Sequence, residues 1–213
     1  MCRPMSEQST VDRRPRKRTT SDDTRAAIAD ALLDLITCGN LQPSRDEIAR
    51  RAGVARRTVF LHFNNTESMY AALVKRQEPR VASLIVPISR EMPITQRIIA
   101  LAEQRDHLYS TIANLRRAVR YAPDAHSSPT LAKSYEHLRR VLDRQVRETF
   151  VLELRDLPHP LAALQRIELA TSFESWHNMV THQRLPRTAV VSHIVVILRR
   201  ELGVSASAVG ATR

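Results

Sequence analysis

The stretch Ser44-Arg-Asp-Glu-Ile-Ala-Arg-Arg-Ala-Gly-Val-Ala-Arg-Arg-Thr-Val-Phe-Leu-His-Phe63 decides the fold. Ser44, with Glu47 three residues on, has the spacing of a capping box, so a helix should start there. Ile48, Ala49 and Ala52 give it one apolar edge, narrow enough for a second helix to approach closely. Gly53 stands where a helix-turn-helix needs positive φ, and Val54 should plug the gap between the helices. The second helix runs from about Ala55 to Phe63. Val59 and Phe63, four apart, can face inward. Arg56, Arg57, Thr58, Phe60, Leu61 and His62 are left on its other faces. So short and donor-rich a helix suits a DNA major groove, where side chains read base edges and phosphate contacts hold the register.

At these residues the chain resembles the TetR family of bacterial transcription regulators. The family pattern is an apolar-Ala pair, then Ala-Gly-Val, then Thr, an apolar residue, an aromatic, any residue, His and an aromatic. Here it stands as Ile48-Ala49, Ala52-Gly53-Val54 and Thr58-Val59-Phe60-Leu61-His62-Phe63. The match is close over about residues 22 to 73. By resemblance, Arg56, Arg57, Thr58, Phe60 and His62 fall where the family contacts DNA; Arg45, Ala55, Leu61 and Thr66 complete the candidate set. Three positions depart from the family. Ala55 replaces a frequent Ser and cannot cap, Phe60 lacks a phenol hydroxyl, and Thr66 stands where Lys is usual. Fewer backbone contacts to DNA are expected as a result.

The totals set bounds. The chain has 213 residues, only four of them Gly, and a net charge of +11. So few glycines argue against Gly-rich phosphate loops and a dinucleotide fingerprint. A mean hydropathy of −0.31 fits a soluble globular chain. The charge suits a polyanionic partner, but it does not locate the site. Residues 1–80 carry 15 basic and 10 acidic side chains (+5), and 81–213 carry 18 and 12 (+6). Cys2 and Cys38 have no metal-ligand spacing and make no disulfide framework. With no apolar leader and no run long enough to span a bilayer, a cytoplasmic setting is expected.

Taken in order, residues 1–20 read as a disordered basic leader, with Arg13, Arg14, Arg16, Lys17 and Arg18 available to phosphates. Residues 21–79 read as the helix-turn-helix DNA-binding domain. Its first helix is expected from Ser21 as N-cap to Gly39-Asn40, and its fourth from Thr66 to Gln77, ended by Pro79. Residues 80–203 read as a ligand-binding and dimerisation domain, and 204–213 as a frayed tail. Within the body, Ile94–Tyr121 is expected to be helical with a break near Arg105-Asp106. Pro123 and Pro129 should bracket a Ser-rich loop. Further helices are expected over Thr130–Leu154, 161–183 and 187–202. The last two have broad apolar faces, Leu164, Ile167, Ala170, Phe173 and Val180 on one, and Val190, Val191, Ile194, Val195, Ile197 and Leu198 on the other. That surplus points to an interface, with Val191, Ile194, Val195 and Leu198 as its stripe. The resemblance implies a homodimer through these two helices.

Little points to catalysis. Glu174-Ser-Trp-His177 has the Glu-x-x-His spacing of di-iron bundles, but such a site needs two of these motifs plus two more Glu. An alternative reading, a helical carrier or metalloenzyme with a vestigial helix-turn-helix, rests on that one motif. No enzyme activity, metal or cofactor is expected. The family implies a ligand pocket in the body, for which His107, Tyr109, Arg116, Arg120, Tyr121, Tyr135, His137 and Trp176 are the candidates. The expectation is an all-α fold, with an N-terminal three-helix DNA-binding module and a C-terminal helical bundle. It would act as a ligand-responsive repressor: a homodimer on a palindromic double-stranded operator, released by a small-molecule effector.

Overall fold

A computed structural model describes residues 20–204. The basic leader, Cys2 and the tail beyond 204 lie outside the described residues. Among those described, the regular structure is helical. The chain divides into two compact units, one built from 20–77 with Asn114–Ala132, the other from Glu78–Ala113 with 133–204.

The first unit contains α1 (Ser21–Thr37), α2 (Arg45–Ala52), α3 (Arg56–His62), the start of α4 (Thr66–Ser83), the end of α5 (Ile94–Tyr121) and α6 (Pro123–His126). The cap of α1 is Thr20, not Ser21: its hydroxyl accepts the Asp23 N–H, and Asp23 accepts the Thr20 N–H, both at 3.1 Å. The box needs its acid three residues after the cap, and Asp23 selects Thr20. Ser44 caps α2 as its spacing predicts, with Glu47 returning to the Ser44 N–H at 2.7 Å. These bonds hold the Glu47 carboxyl below its ordinary range, the Ser44 side chain being the larger cause. Gly53 ends α2 at φ 67°, the left-handed conformation that favours glycine. Ile28, Leu32, Ile36, Ile48, Val59, Phe63 and Leu73 are buried in this unit, each worth roughly 1.5–3 kcal/mol of transfer free energy.

Pro79 does not end α4, which continues to Ser83. Proline removes the N–H that would reach the Lys75 carbonyl. Both residues lie on the exposed face, where water can take over that acceptor.

The second unit contains the first part of α5, most of α7 (Pro129–Thr149), α8 (Val151–Arg155), α9 (Pro160–Ala170), α10 (Phe173–His177), a π-helical turn (Asn178–His182) and α11 (Arg187–Glu201). Its core joins Ile98, Leu101, Leu108, Tyr109, Val146, Phe150, Ile167, Trp176, Val190, Ile194 and Leu198.

Several boundaries differ from expectation. α5 runs unbroken through Arg105 and Asp106, because both side chains find partners on other helices. The Ser-rich loop holds the short α6, and Pro129 opens α7 at a position where proline's missing N–H costs nothing. The helix expected to reach Leu154 is interrupted at Phe150, and 161–183 divides at Thr171-Ser172, where Ser172 caps α10. Ile194 and Leu198 are fully buried in their own chain's core, so they cannot form an exposed stripe. The large apolar side chains exposed on the last two long helices are Leu161, Leu169 and Val196.

Asp106 ties three segments of this unit. Its Oδ1 accepts the Trp176 indole N–H at 2.9 Å, and its carboxylate takes Arg187 Nε at 2.9 Å and Nη2 at 2.6 Å. Asp106→Ala would leave the buried indole N–H without an acceptor. A loss of about 1–3 kcal/mol is expected, to be read from urea unfolding followed by tryptophan fluorescence.

Candidate nucleic-acid interface

Seven residues are too few for α3 to stabilise itself, so its position is imposed from outside. Val59 and Phe63 are fully buried. Two arginines from other helices then take hold of its C-terminal end. Arg25 of α1 donates from Nη1 to the His62 carbonyl at 2.6 Å, with its guanidinium 4.2 Å from the Phe63 ring centroid. Arg45 of α2 donates from Nη1 to the Phe63 carbonyl at 2.8 Å. Cations at the carbonyl end of a helix also suit its dipole.

Arg45 serves a second purpose. Its guanidinium lies 4.3 Å from the Phe60 ring centroid, and Arg56 lies 5.7 Å from the same centroid. Phe60 is therefore flanked by two cations. Arg56 is also paired with Asp46 at 3.2 Å, both side chains more than half exposed. Such an exposed pair is weak and can be exchanged for a stronger anion.

The outward face of α3 therefore carries Arg56, Arg57, Phe60 and Leu61 as exposed residues, with Thr58 and His62 half-buried. Leu61 is 73% exposed, unusual for a leucine unless something else covers it. Ala55 occupies the N-cap of α3 and supplies no side-chain bond, as its methyl side chain requires. Thr66, half-buried, opens α4. Asn65 precedes it, and its Oδ1 accepts the Ser68 N–H at 2.8 Å.

The nine sequence candidates thus fall on or next to one helix, with Arg45 turned toward α3 as a brace. Arg25 and Asn65 escaped the sequence reading. Asn65 had the signal of a cap residue; nothing in the sequence says that Arg25 reaches a carbonyl 37 positions along.

The ligand candidates are more scattered. Tyr109 and Trp176 are buried together, ring centroids 6.0 Å apart, and Phe173 and His177 extend the cluster. The Tyr109 hydroxyl donates to the Thr171 carbonyl at 2.7 Å. Tyr135 is half-buried, while His107 and His137 are exposed. Arg116, half-buried, and Arg120 and Tyr121, exposed, belong to the first unit. Glu174 of the Glu-x-x-His motif is exposed, and the His177 ring stacks on Phe173 at 5.5 Å.

Residues 42–73 match the family model described as bacterial regulatory proteins, tetR family. This helix-turn-helix module belongs to the TetR family. Over 84–88% of its length the chain shares its fold with solved transcriptional regulators. A tetR-family transcriptional regulator from Streptomyces coelicolor is 21% identical, with a TM-score of 0.62 over 85% of this chain and 89% of that one. A transcriptional regulator from Rhodococcus sp. RHA1 is 18% identical, with a TM-score of 0.64 over 84% and 96%. A TetR-family regulator from Mesorhizobium loti is 20% identical, with a TM-score of 0.59 over 88% and 98%. No curated relative matches the chain in sequence. The TetR module and the TetR fold together support a DNA-binding regulator. Among the described residues, no helix is long and apolar enough to cross a membrane.

The brace on α3 can be tested without DNA. Arg25→Ala removes one hydrogen bond and one ring contact, so a loss of about 1–2 kcal/mol is expected. The measurement is a chemical denaturation midpoint.

Proposed function

We propose that this protein is a cytoplasmic transcriptional repressor that binds a palindromic operator as a homodimer and leaves it when a small molecule occupies the C-terminal unit. The observation that carries the reading is the outward face of α3. Val59 and Phe63 are spent on the core, Arg25 and Arg45 hold the helix, and Arg56, Arg57, Phe60 and Leu61 are exposed on its outward face. Arginine can read guanine edges, and Leu61 can meet thymine methyls. Thr58 and His62, with Thr66 at the start of α4, would hold phosphates. The operator, in turn, would replace Asp46 as the partner of Arg56.

A helix this short reads only a half-site. Two copies related by a two-fold axis would read two half-sites one helical turn apart. Leu169 and Val196, 67% and 64% exposed on α9 and α11, support a dimer through these helices. In this reading, residues 21–79 serve DNA and 80–203 serve the effector and the dimer. Tyr109 and Trp176 are the ligand candidates that the second unit packs together. Effector binding would favour a dimer whose recognition helices are wrongly spaced, which lowers operator affinity.

A gel shift on the DNA upstream of its own coding sequence is the deciding experiment, and no retarded complex would refute the reading. In the same assay Arg56→Ala should weaken binding by about 1–3 kcal/mol and relax preference at one base pair.

Thr66→Lys should tighten binding to operator and random DNA alike. It should steepen the plot of log K against log salt by about 0.9 per subunit, about 1.8 per dimer. An unchanged slope would remove residue 66 from the phosphate backbone.

For the dimer, Leu169→Asp should yield a folded monomer in sedimentation. Ile194→Asp should instead unfold the chain, because that side chain belongs to the core.

A further inference from the structure

Arg105 lies in the middle of α5 with no exposed surface. Its Nη1 donates to Gln145 Oε1 at 2.8 Å and to Gln104 Oε1 at 3.4 Å, and its Nη2 donates to the Leu142 carbonyl at 3.0 Å. All three acceptors are neutral. Its buried Nε–H has no acceptor, and Nη2 has two hydrogens for its one acceptor.

Two other arginines of this unit meet carboxylates. Arg97, buried but 5% exposed, donates to Glu153 at 2.5 and 3.1 Å, and Arg187 grips Asp106 through two nitrogens. The carboxylate whose charge acts on Arg105 is Asp143, which makes no hydrogen bond to it and also feels Arg139 and Arg147. Burial pushes the guanidinium below its ordinary value, yet arginine stays protonated in proteins. A buried charge of this kind is expensive unless an opposite charge meets it.

The site is also held in advance. The amide nitrogens of Gln104 and Gln145 both donate to the Val86 carbonyl at 2.8 Å. With each amide nitrogen on Val86, both side-chain oxygens face Arg105. The neighbours one turn away on α5, Leu101, Ala102, Leu108 and Tyr109, are buried and apolar or aromatic. The surroundings therefore orient the cation without neutralising it.

We propose that Arg105 anchors a small organic monocarboxylate with an apolar body, bound in the C-terminal unit against α5 and α7. The carboxylate would accept from Nε–H and the second Nη2 hydrogen, the side-by-side pair that fits its two oxygens. One negative charge balances the one positive charge; a phosphate dianion would leave an excess charge in apolar surroundings. Any role of this site in operator release rests on the repressor reading above, but the binding itself does not.

The test uses the full-length chain and two acids, octanoate and benzoate, each beside its neutral amide, octanamide and benzamide. Calorimetric titration and the thermal unfolding midpoint are the readouts. At least one acid should bind and raise the midpoint, and its amide should bind about tenfold more weakly or worse. Arg105→Lys retains the charge but loses the paired donors, and should weaken the acid about tenfold while leaving the amide unchanged. Arg105→Gln should abolish the difference between acid and amide. Failure of both acids to bind the wild type, equal binding of acid and amide, or unchanged acid affinity in Arg105→Lys would each overturn the proposal. Should the variants fail to fold, the acid-against-amide comparison on the wild type decides. A gel shift with and without the bound acid separates the two readings. Acid binding with no operator complex refutes the repressor and leaves the anchor standing; an operator complex with no acid binding does the reverse.

Discussion

A seven-residue helix forms one or two turns' worth of hydrogen bonds and cannot cover the entropy of its own ordering. The first unit is arranged around that deficit. Val59 and Phe63 give α3 its only fully buried apolar grip. Arg25 and Arg45 then satisfy the His62 and Phe63 carbonyls, which the helix leaves open at its end. Because these contacts come from α1 and α2, the outward face of α3 is relieved of structural duty. Polar and aromatic residues can stand there without weakening the fold. Capping boxes at Thr20 and Ser44 serve the same end, since a brace is only as firm as the helix that carries it.

The second unit meets a different difficulty. Its core contains Arg97, Arg105 and Asp106, groups that water would hold more cheaply. Two are neutralised by a partner of opposite charge: Arg97 by Glu153, Asp106 by Arg187. Arg105 finds only neutral hydrogen-bond acceptors. Buried polar networks of this sort demand specific geometry and so fix the register of the helices that carry them. They also explain why α5 stays whole where a charged pair in its middle suggested a break.

Breaks occur instead where backbone geometry changes. Phe150 sits at φ −118°, ψ 25° between α7 and α8, and Ser172 starts a new helix after Thr171 with its hydroxyl accepting the Ser175 N–H. Arg184, at φ 54°, follows the π-helical turn. Ser172 carried a legible cap signal hidden inside a continuous apolar pattern. Pro79 carried a stop signal that the helix ignores, because the carbonyl it strands lies at the surface.

Local sequence determined what depends on near neighbours. Ser44 and Glu47 set the start of α2, Gly53 set its end, and Ala52-Gly53-Val54 with Thr58 to Phe63 identified the recognition module. These features rest on hydrogen bonds and steric limits within four or five residues, which a sequence displays directly. Tertiary structure decided what depends on partners far along the chain. Only packing showed that Arg45 braces α3, that Arg25 reaches His62, and that Ile194 and Leu198 belong to the core, leaving Leu169 and Val196 outside. Only packing showed that Arg105, near which the sequence suggested a helix break, is buried with an unmet donor. An arginine in an amphipathic helix looks the same in sequence whether water or a core surrounds it. The difference is made by which helices close over it, and that information is not local.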